Sequence, residues 1–187
     1  LCTTLILFRS YLRDFSETID LLNRGITIVS LSTVGWLGEQ IVSAMRASKE
    51  DQLTKIYNRR GIEAERSGRE TQPTAAILID LDDFKRVNDT WGLLSGDLVL
   101  REVADMLTTI ARNSDIVGRW GGDEFLVLLW DAKWTDTQKI AERFYRMLSN
   151  ARVEVNADGA YTRISASLGV VQLAGDTTLG EAVKVAQ

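Results

Sequence analysis

The residues of this 187-residue chain best suited to chemistry are five carboxylates: Asp80, Asp82, Asp83, Asp123 and Glu124. Each lies close to the end of an apolar run or shortly after a pair of glycines. Asp80 lies at the end of the apolar run 75–81, and Asp123 directly follows Gly121 and Gly122. A carboxylate at the end of a buried strand is costly unless it is paired or binds a metal ion. If the two segments are neighbouring strands, Asp80 and Asp123 converge, and their hard oxygens are the ligands that Mg²⁺ prefers.

A magnesium site needs more oxygen ligands than two carboxylates supply. The Leu81 carbonyl and the phosphate oxygens of a nucleotide would complete an octahedral set, which predicts metal-assisted chemistry on a nucleotide. The alternative is that Asp80, Asp82 and Asp83 only cap the helical turn that follows, because acids are favoured at helix N-termini.

The glycine pair lies between two apolar segments, 116–120 and 125–130, that are rich in branched and aromatic residues and predict strands. Two glycines between such strands predict a two-residue hairpin turn with positive φ angles. The tip of that hairpin would carry no side chains, so a phosphate could approach its backbone closely.

The composition excludes several other kinds of site. The chain has no histidine, which excludes zinc-hydrolase, Ser-His and Cys-His schemes. A formal net charge of −4 does not fit a nucleic-acid-binding surface. The single cysteine, Cys2, excludes an internal disulfide and suits a reducing compartment, so we expect a cytoplasmic location.

The first fifty residues form a separate segment by their pattern. Apolar residues recur there at alternating steps of three and four, which is a heptad seam typical of a coiled coil: Leu5, Phe8, Leu12, Phe15, Ile19, Leu22, Ile26 and Val29. The seam then slips near Gly25, Gly35 and Gly38, so a break into two helices is expected. We favour intermolecular pairing through this seam over a helix folded back on its own domain.

The apolar stretch 5–8 is too short to span a bilayer. We favour the first turns of a soluble helix over the tail of a membrane helix, and membrane contact is expected only through segments upstream.

From residue 51 the pattern alternates between helices and strands, which predicts an α+β fold with helices packed on a mostly antiparallel sheet. The predicted helices are 58–69, 84–88, 94–111, 135–148 and a last one from 178, and the predicted strands are 75–81, 116–120, 125–130, 152–155 and 161–171.

Several separated motifs resemble those of the GGDEF family of diguanylate cyclases, in the same order and at workable spacing. They are Asp51-Gln52-Leu53-Thr54, Asn58-Arg59-Arg60, Asp80-Leu81-Asp82-Asp83-Phe84-Lys85-Arg86-Val87-Asn88-Asp89, Gly92, Gly96-Asp97, Gly121-Gly122-Asp123-Glu124-Phe125 and Ser167-Leu168-Gly169-Val170. The resemblance covers the chain from Asp51 to its end. It implies two parts: a helical dimerisation and signalling segment, 1–50, and a catalytic domain, 51–187, that is truncated before the family's closing helix.

Members of this family condense two GTP molecules into cyclic di-GMP and release two pyrophosphates, with one GTP on each subunit of a homodimer. The resemblance implies their palm-like fold, shared with nucleotide cyclases. It also implies that Asp80, the Leu81 carbonyl and Asp123 hold Mg²⁺, for which Mn²⁺ could substitute. Asp123 and Glu124 match the family's catalytic acids, which assist loss of the 3′-hydroxyl proton.

The same resemblance assigns the substrate contacts. Lys85, with the backbone amides of 83–85, would face the phosphates and assist catalysis. Asn88 and Asp97 match the pair that reads guanine, because an amide donates to the base and a carboxylate accepts from it. Phe84, Gly121 and Gly122 would complete the substrate site.

Arg112 and Asp115 match the family's Arg-x-x-Asp site, where cyclic di-GMP binds and inhibits the enzyme. Arg143 matches a secondary arginine for the same ligand. The alternative is an ordinary Arg–Asp pair on the surface, which contributes little.

The chain departs from the family pattern at two positions. Leu93 replaces a histidine that usually follows Gly92, which puts the affinity for guanine in question more than the chemistry. Lys55 replaces a common glycine, which we interpret as a minor change in a loop. The rival functions are a catalytically silent module that binds cyclic di-GMP or GTP, and a scaffold that oligomerises through its N-terminal helices.

Overall fold

The computed structural model describes residue 30 and residues 32–36, 49–156, 159–174 and 177–186. The chain divides into two units, Leu1–Ala47 and Ser48–Gln187, which are described separately. In the first unit, residues 30 and 32–36 are helical, and the side chains of Val34 and Trp36 are exposed. Most of the predicted heptad seam lies outside the described residues, so the seam, its break and dimerisation through it stay predictions.

The described part of the second unit contains seven strands and five helices. The strands are β1 Tyr57–Asn58, β2 Ala75–Leu81, β3 Ile116–Arg119, β4 Glu124–Leu129, β5 Arg152–Glu154, β6 Tyr161–Arg163 and β7 Ala166–Gln172. The helices are α1 Arg59–Ser67, α2 Phe84–Trp91, α3 Leu93–Ile110, α4 Trp134–Asn150 and α5 Leu179–Ala186. Within the described residues, no helix combines the length and the hydrophobicity needed to cross a bilayer.

Five strands form one mixed sheet in the order β1-β3-β4-β2-β7. Strand β1 is parallel to β3, and all the other neighbours in this sheet are antiparallel. Strands β5 and β6 form a separate hairpin. The predicted α+β fold with a mostly antiparallel sheet and flanking helices is therefore confirmed. The two-residue strand β1 was not predicted, and the predicted single strand 161–171 is wrong, because β6 and β7 belong to different sheets.

The sheet is buried on both faces because helices cover both sides. Alternate residues of β2 belong to different cores: Ile77 and Ile79 pack with α3 and α4, and Leu78 packs with α1 and α5. This arrangement explains why β2 reads as a continuous apolar run, since neither face of the strand meets water. The exception is Asp80, the residue before the last of the strand, whose side chain is exposed, whereas Leu81 after it is buried.

Gly92 separates α2 from α3 without any other linking residue. Its φ angle of 86° is one that residues with a Cβ rarely adopt. Its N–H donates to the Asn88 carbonyl, which closes α2, and its own carbonyl accepts from Ser95 and Gly96 in α3. The predicted helix 84–88 was one turn too short, because this closure lets α2 continue to Trp91.

Replacing Gly118 by Ala should destabilise the protein. A Cβ at Gly118 would lie 2.5 Å from the Ile62 Cδ1 atom and 2.7 Å from the Tyr57 carbonyl oxygen. Because Ile62 is fully buried and a backbone oxygen cannot rotate away, overpacking should reduce the free energy of unfolding by about 1–3 kcal/mol. Urea unfolding measures this loss. Gly180→Ala is the control, since a Cβ there meets no atom within 4 Å; equal losses in both variants would contradict the prediction.

Candidate functional site

The pairing of β2 with β4 brings the two acidic motifs to one edge of the sheet. Asp80 lies opposite Glu124 in the register, and the Leu81 N–H donates to the Asp123 carbonyl oxygen at 3.3 Å. On the other side of β2, Asp80 lies opposite Ser167 of β7. The convergence expected from the sequence is therefore a direct consequence of antiparallel pairing in this register.

The acids at this edge, which we call the acidic edge (Asp80, Asp82, Asp123 and Glu124), repel one another. Partial burial of the Asp80 carboxyl, and then the charges of Asp123, Glu124 and Asp82, raise the pKa of Asp80 above its ordinary value of 3.8. A bound divalent cation would relieve this repulsion, because it is the largest local charge of opposite sign that such a site can accept.

The donor set is small for a metal site supplied by protein alone. In the ranges that the structure describes, no three Asp, Glu, Cys or His side chains are grouped to hold a metal ion. Asp80, Asp123 and the Leu81 carbonyl nevertheless fit Mg²⁺, which commonly takes one or two carboxylates and completes its shell with water and substrate phosphates.

The alternative, that the acids after β2 only cap a helix, is not supported. Asp83 occupies the capping position of α2, but its φ angle is 53° and its side chain makes no capping hydrogen bond. The Asp82 carboxylate accepts a hydrogen bond from the Ser167 hydroxyl at 2.7 Å. The Asp82 carboxylate is therefore held by β7, and the Asp83 carboxylate lies 3.5 Å from the Arg86 guanidinium in the first turn of α2.

The loop between β3 and β4 is wider than predicted. Trp120 and Gly121 both donate their N–H groups to the Glu124 carbonyl, at 2.9 and 3.3 Å, which spreads the connection over residues 120–123. Neither Gly121 nor Gly122 has a positive φ angle. The predicted two-residue turn is thus wrong, because a wider loop can reverse the chain without the left-handed conformation.

The two glycines differ in their surroundings. A Cβ at Gly121 would lie 2.7 Å from the Glu124 Oε2 atom, whereas one at Gly122 would meet nothing within 4 Å. Gly121 therefore leaves room for the Glu124 carboxylate. Gly122 is exposed and leaves the tip of the loop open, as the sequence suggested.

Arg119 fastens this loop to the segment before β1. Its Nε and Nη2 atoms donate to the Gly122 carbonyl at 3.0 and 2.6 Å, and its Nη1 atom donates to the Asp51 carboxylate at 3.1 Å. The same carboxylate accepts from the Thr54 N–H and hydroxyl. Sequence reasoning assigned no role to this pair, because the two residues lie 68 positions apart and no local pattern connects them.

Several interactions act on the Asp51 carboxyl. Burial favours its neutral form and would raise the pKa, but the hydrogen bonds from Thr54 and the charge and hydrogen bond of Arg119 outweigh burial. The net effect lowers the pKa of Asp51 below its ordinary value of 3.8. The carboxylate is consequently ionised at neutral pH, and the Arg119 contact is charge-assisted.

Helices α2 and α3 bring the predicted guanine-reading residues together. A Cβ at Gly96 would lie 1.9 Å from the Asn88 Oδ1 atom and 3.2 Å from the Phe84 ring. Gly96 therefore makes room for Asn88 directly beside Asp97, and both Asn88 and Asp97 are half-buried. Lys85 is exposed in the first turn of α2, and Leu93 is 75% exposed at the start of α3.

Arg112 and Asp115 form a tight turn after α3. The Arg112 N–H donates to the Asp115 carboxylate at 2.9 Å, and the Asp115 N–H donates to the Arg112 carbonyl at 2.9 Å. Both residues line a cavity of about 420 Å³, which we call the Arg112 cavity; its described lining shares no residue with the acidic edge. Arg143 lies on the exposed face of α4 and is not among the described residues that line this cavity.

Replacing Asp80 by Asn should stabilise the metal-free protein at pH 7. Because the pKa of Asp80 is raised in the folded state, the ionised carboxylate destabilises the fold at pH values above that pKa. Protonation removes this destabilisation as the pH falls through the pKa. Because exposed charges interact weakly, the gain should be up to about 1 kcal/mol.

Urea unfolding at several pH values measures this gain, which should shrink as the pH falls toward about 4. Glu102→Gln, an exposed change on α3, is the control and should have little effect. A variant at Asp80 that is less stable than the wild type at pH 7 would contradict the prediction.

Comparisons with known proteins agree on one family. The family described as diguanylate cyclase, GGDEF domain, matches residues 48–187. Diguanylate cyclase DosC of Escherichia coli K12 is 31% identical over 185 residues, which cover 91% of this chain and 40% of DosC. The chain therefore spans about two fifths of the length of this curated relative.

Solved structures give the same result. Diguanylate cyclase SiaD of Pseudomonas aeruginosa, in complex with its activator SiaC, is similar with a TM-score of 0.65 and 31% identity, over 95% of this chain and 69% of SiaD. A microbial GGDEF domain studied for its interaction with cyclic di-GMP is similar with a TM-score of 0.61 and 29% identity, over 76% of this chain and 88% of that domain.

Proposed function

The chain belongs to the GGDEF family of diguanylate cyclases, and from that membership we propose that it condenses two GTP molecules into cyclic di-GMP and releases two pyrophosphates. The observation that carries the proposal is the acidic edge, where the pairing of β2 with β4 places Asp80 within the electrostatic influence of Asp123, Glu124 and Asp82, beside the open loop of Gly122. Repelling carboxylates next to accessible backbone fit a triphosphate with its metal ions better than they fit a structural role.

We propose that Asp80, Asp123 and the Leu81 carbonyl hold Mg²⁺ or Mn²⁺ together with the phosphates of GTP. When bound, such a cation lowers the pKa of the attacking 3′-hydroxyl and stabilises charge on the α-phosphate. Glu124, together with Asp123, assists removal of the hydroxyl proton. The space that Gly121 leaves for the Glu124 side chain supports a defined position for that carboxylate.

GTP would be positioned from two sides. Gly122 lets a phosphate approach the loop, and Lys85 supplies a positive charge from the first turn of α2. Asn88 donates to guanine and Asp97 accepts from it, with Phe84 beside them. The contact of Asn88 and Phe84 with the same point of α3, at Gly96, supports this grouping.

One copy of the domain would hold only one of the two GTP molecules, so turnover requires two domains that face each other. We propose that the chain acts as a homodimer and that the heptad seam of the N-terminal segment sets the pairing. The seam supports this proposal by its length and its narrow apolar stripe.

We propose that cyclic di-GMP inhibits the enzyme by binding at Arg112 and Asp115, with Arg143 as a second contact from α4. The structure supports the site because Asp115 bonds the Arg112 main chain, and in the described residues no ion pair joins the Arg112 guanidinium to Asp115. The guanidinium therefore keeps its donors for a ligand that lies in the Arg112 cavity.

A catalytically silent module that only binds cyclic di-GMP or GTP is the second candidate. The grouping of metal-type acids with guanine-type residues favours the enzyme, since a receptor for the product needs only the Arg112 cavity.

The wild-type chain incubated with GTP and Mg²⁺ should form cyclic di-GMP, detectable by chromatography. Asp123→Ala should reduce the rate by at least about 100-fold, because it removes a group that holds charge in the transition state. Glu102→Gln is the surface control, and circular dichroism checks the fold.

Product formation by Asp123→Ala at the wild-type rate would reject the metal site. A wild type that binds GTP without forming product would favour the silent module.

Arg112→Ala should relieve inhibition by added cyclic di-GMP and leave the initial rate unchanged. Loss of a charge-assisted contact should weaken product binding by about 10-fold or more. Inhibition curves measure this change, and Arg101→Ala, exposed on α3, serves as the control. An unchanged inhibition constant would contradict the assignment of this site.

A further inference from the structure

Lys55 has a backbone conformation that lysine disfavours. Its φ angle is 61°, in the left-handed region where a Cβ crowds the neighbouring carbonyl. The turn that imposes this conformation is closed by two backbone hydrogen bonds, from the Lys55 N–H to the Asp51 carbonyl and from the Asp51 N–H to the Ile56 carbonyl. Glycine would adopt it without strain, so the lysine carries a conformational cost that a role of its side chain would offset.

Lys55 lines the Arg112 cavity together with Arg69, Arg112, Glu50 and Asp115. The lining of this cavity therefore contains three cationic and two acidic residues, whereas the whole chain has a formal net charge of −4. A locally positive cavity in an acidic protein selects an anionic ligand.

Arg69 makes one wall of this cavity rigid. Its guanidinium lies 4.0 Å from the centre of the Trp130 ring and also donates to the Ser114 carbonyl. These contacts tie the loop after α1 to the Arg112–Asp115 turn. Arg69 therefore helps to fix the shape of the cavity, and its positive charge lies in the cavity lining.

Lys55 lies on another part of the cavity lining. It is exposed, and in the part of the chain that the structure describes no carboxylate lies within ion-pair distance of its ammonium group. A lysine ammonium is a compact charge on a flexible stem, which suits a phosphate whose position is set by other contacts.

We infer that Lys55 is a further ligand-binding residue of the Arg112 cavity and contacts a phosphate of the bound cyclic dinucleotide. The inference rests on the proposed inhibition at Arg112 and Asp115, and adds to it a contact that a glycine at this position could not make. The strained backbone conformation is retained because the side chain contributes to ligand binding.

Isothermal titration of the full chain with cyclic di-GMP tests the inference. Lys55→Gly should weaken binding about 3- to 5-fold, the scale of one partly solvated charge contact, and Lys55→Arg should bind within about 2-fold of the wild type because it keeps the charge. The thermal midpoint of Lys55→Gly should be equal to or above that of the wild type, because glycine relieves the backbone strain. Weaker binding without loss of stability is a combination that a purely structural lysine would not produce.

Arg112→Ala is titrated in parallel to separate the two hypotheses. If Lys55→Gly binds like the wild type while Arg112→Ala binds weakly, the role of Lys55 is rejected and the inhibitory site stands. If Lys55→Arg loses as much affinity as Lys55→Gly, the charge is not the cause and the inference is also rejected. If the wild type fails to bind cyclic di-GMP, or Arg112→Ala binds like the wild type, the proposed inhibitory site itself fails.

Discussion

The antiparallel pairing of β2 with β4 is the constraint on which the candidate site depends. It places Asp80 opposite Glu124 and bonds Leu81 to the Asp123 carbonyl. A slip of one residue would send every side chain of β2 to the other face of the sheet. Such a slip would exchange Ile77 and Ile79 in one core for Ala76 and Leu78 in the other, and the volume mismatch would be destabilising. The packing of the two cores therefore holds the repelling acids together.

Helix α3 connects the two proposed nucleotide sites. Its first turns carry Gly96 and Asp97 beside Asn88, and the Arg112–Asp115 turn follows its last residue. Its 18 residues correspond to a length of about 27 Å. A ligand in the Arg112 cavity thus lies at the opposite end of an element that forms part of the proposed guanine site. A rigid helix of this kind is one physical route by which product could influence substrate binding.

Arg119 joins the loop of the acidic edge to the segment that precedes β1. Its guanidinium is shared between the Gly122 carbonyl and the Asp51 carboxylate, which the Thr54 hydrogen bonds also hold. Because the Asp51 and Arg119 side chains are only 21% and 17% exposed, this ion pair is better shielded from solvent than an ordinary surface pair. The position of the Gly122 tip therefore depends on how the chain enters the domain.

The sequence by itself determined the acidic motifs, the buried strand β2 and the main helices, because periodicity and residue type act locally. It also predicted that Asp80 and Asp123 converge if their segments pair, and the pairing of β2 with β4 brings the two segments to one edge; their binding of a metal ion stays a prediction. Only the tertiary structure decided the two-residue strand β1, the wider loop at Gly121 and Gly122, and the contact of Arg119 with Asp51. Each of these features depends on residues that are distant in sequence or on the geometry of a whole loop. The hydrogen bonds between strands and the Arg119 side chain that bridges two segments are not encoded by any local pattern.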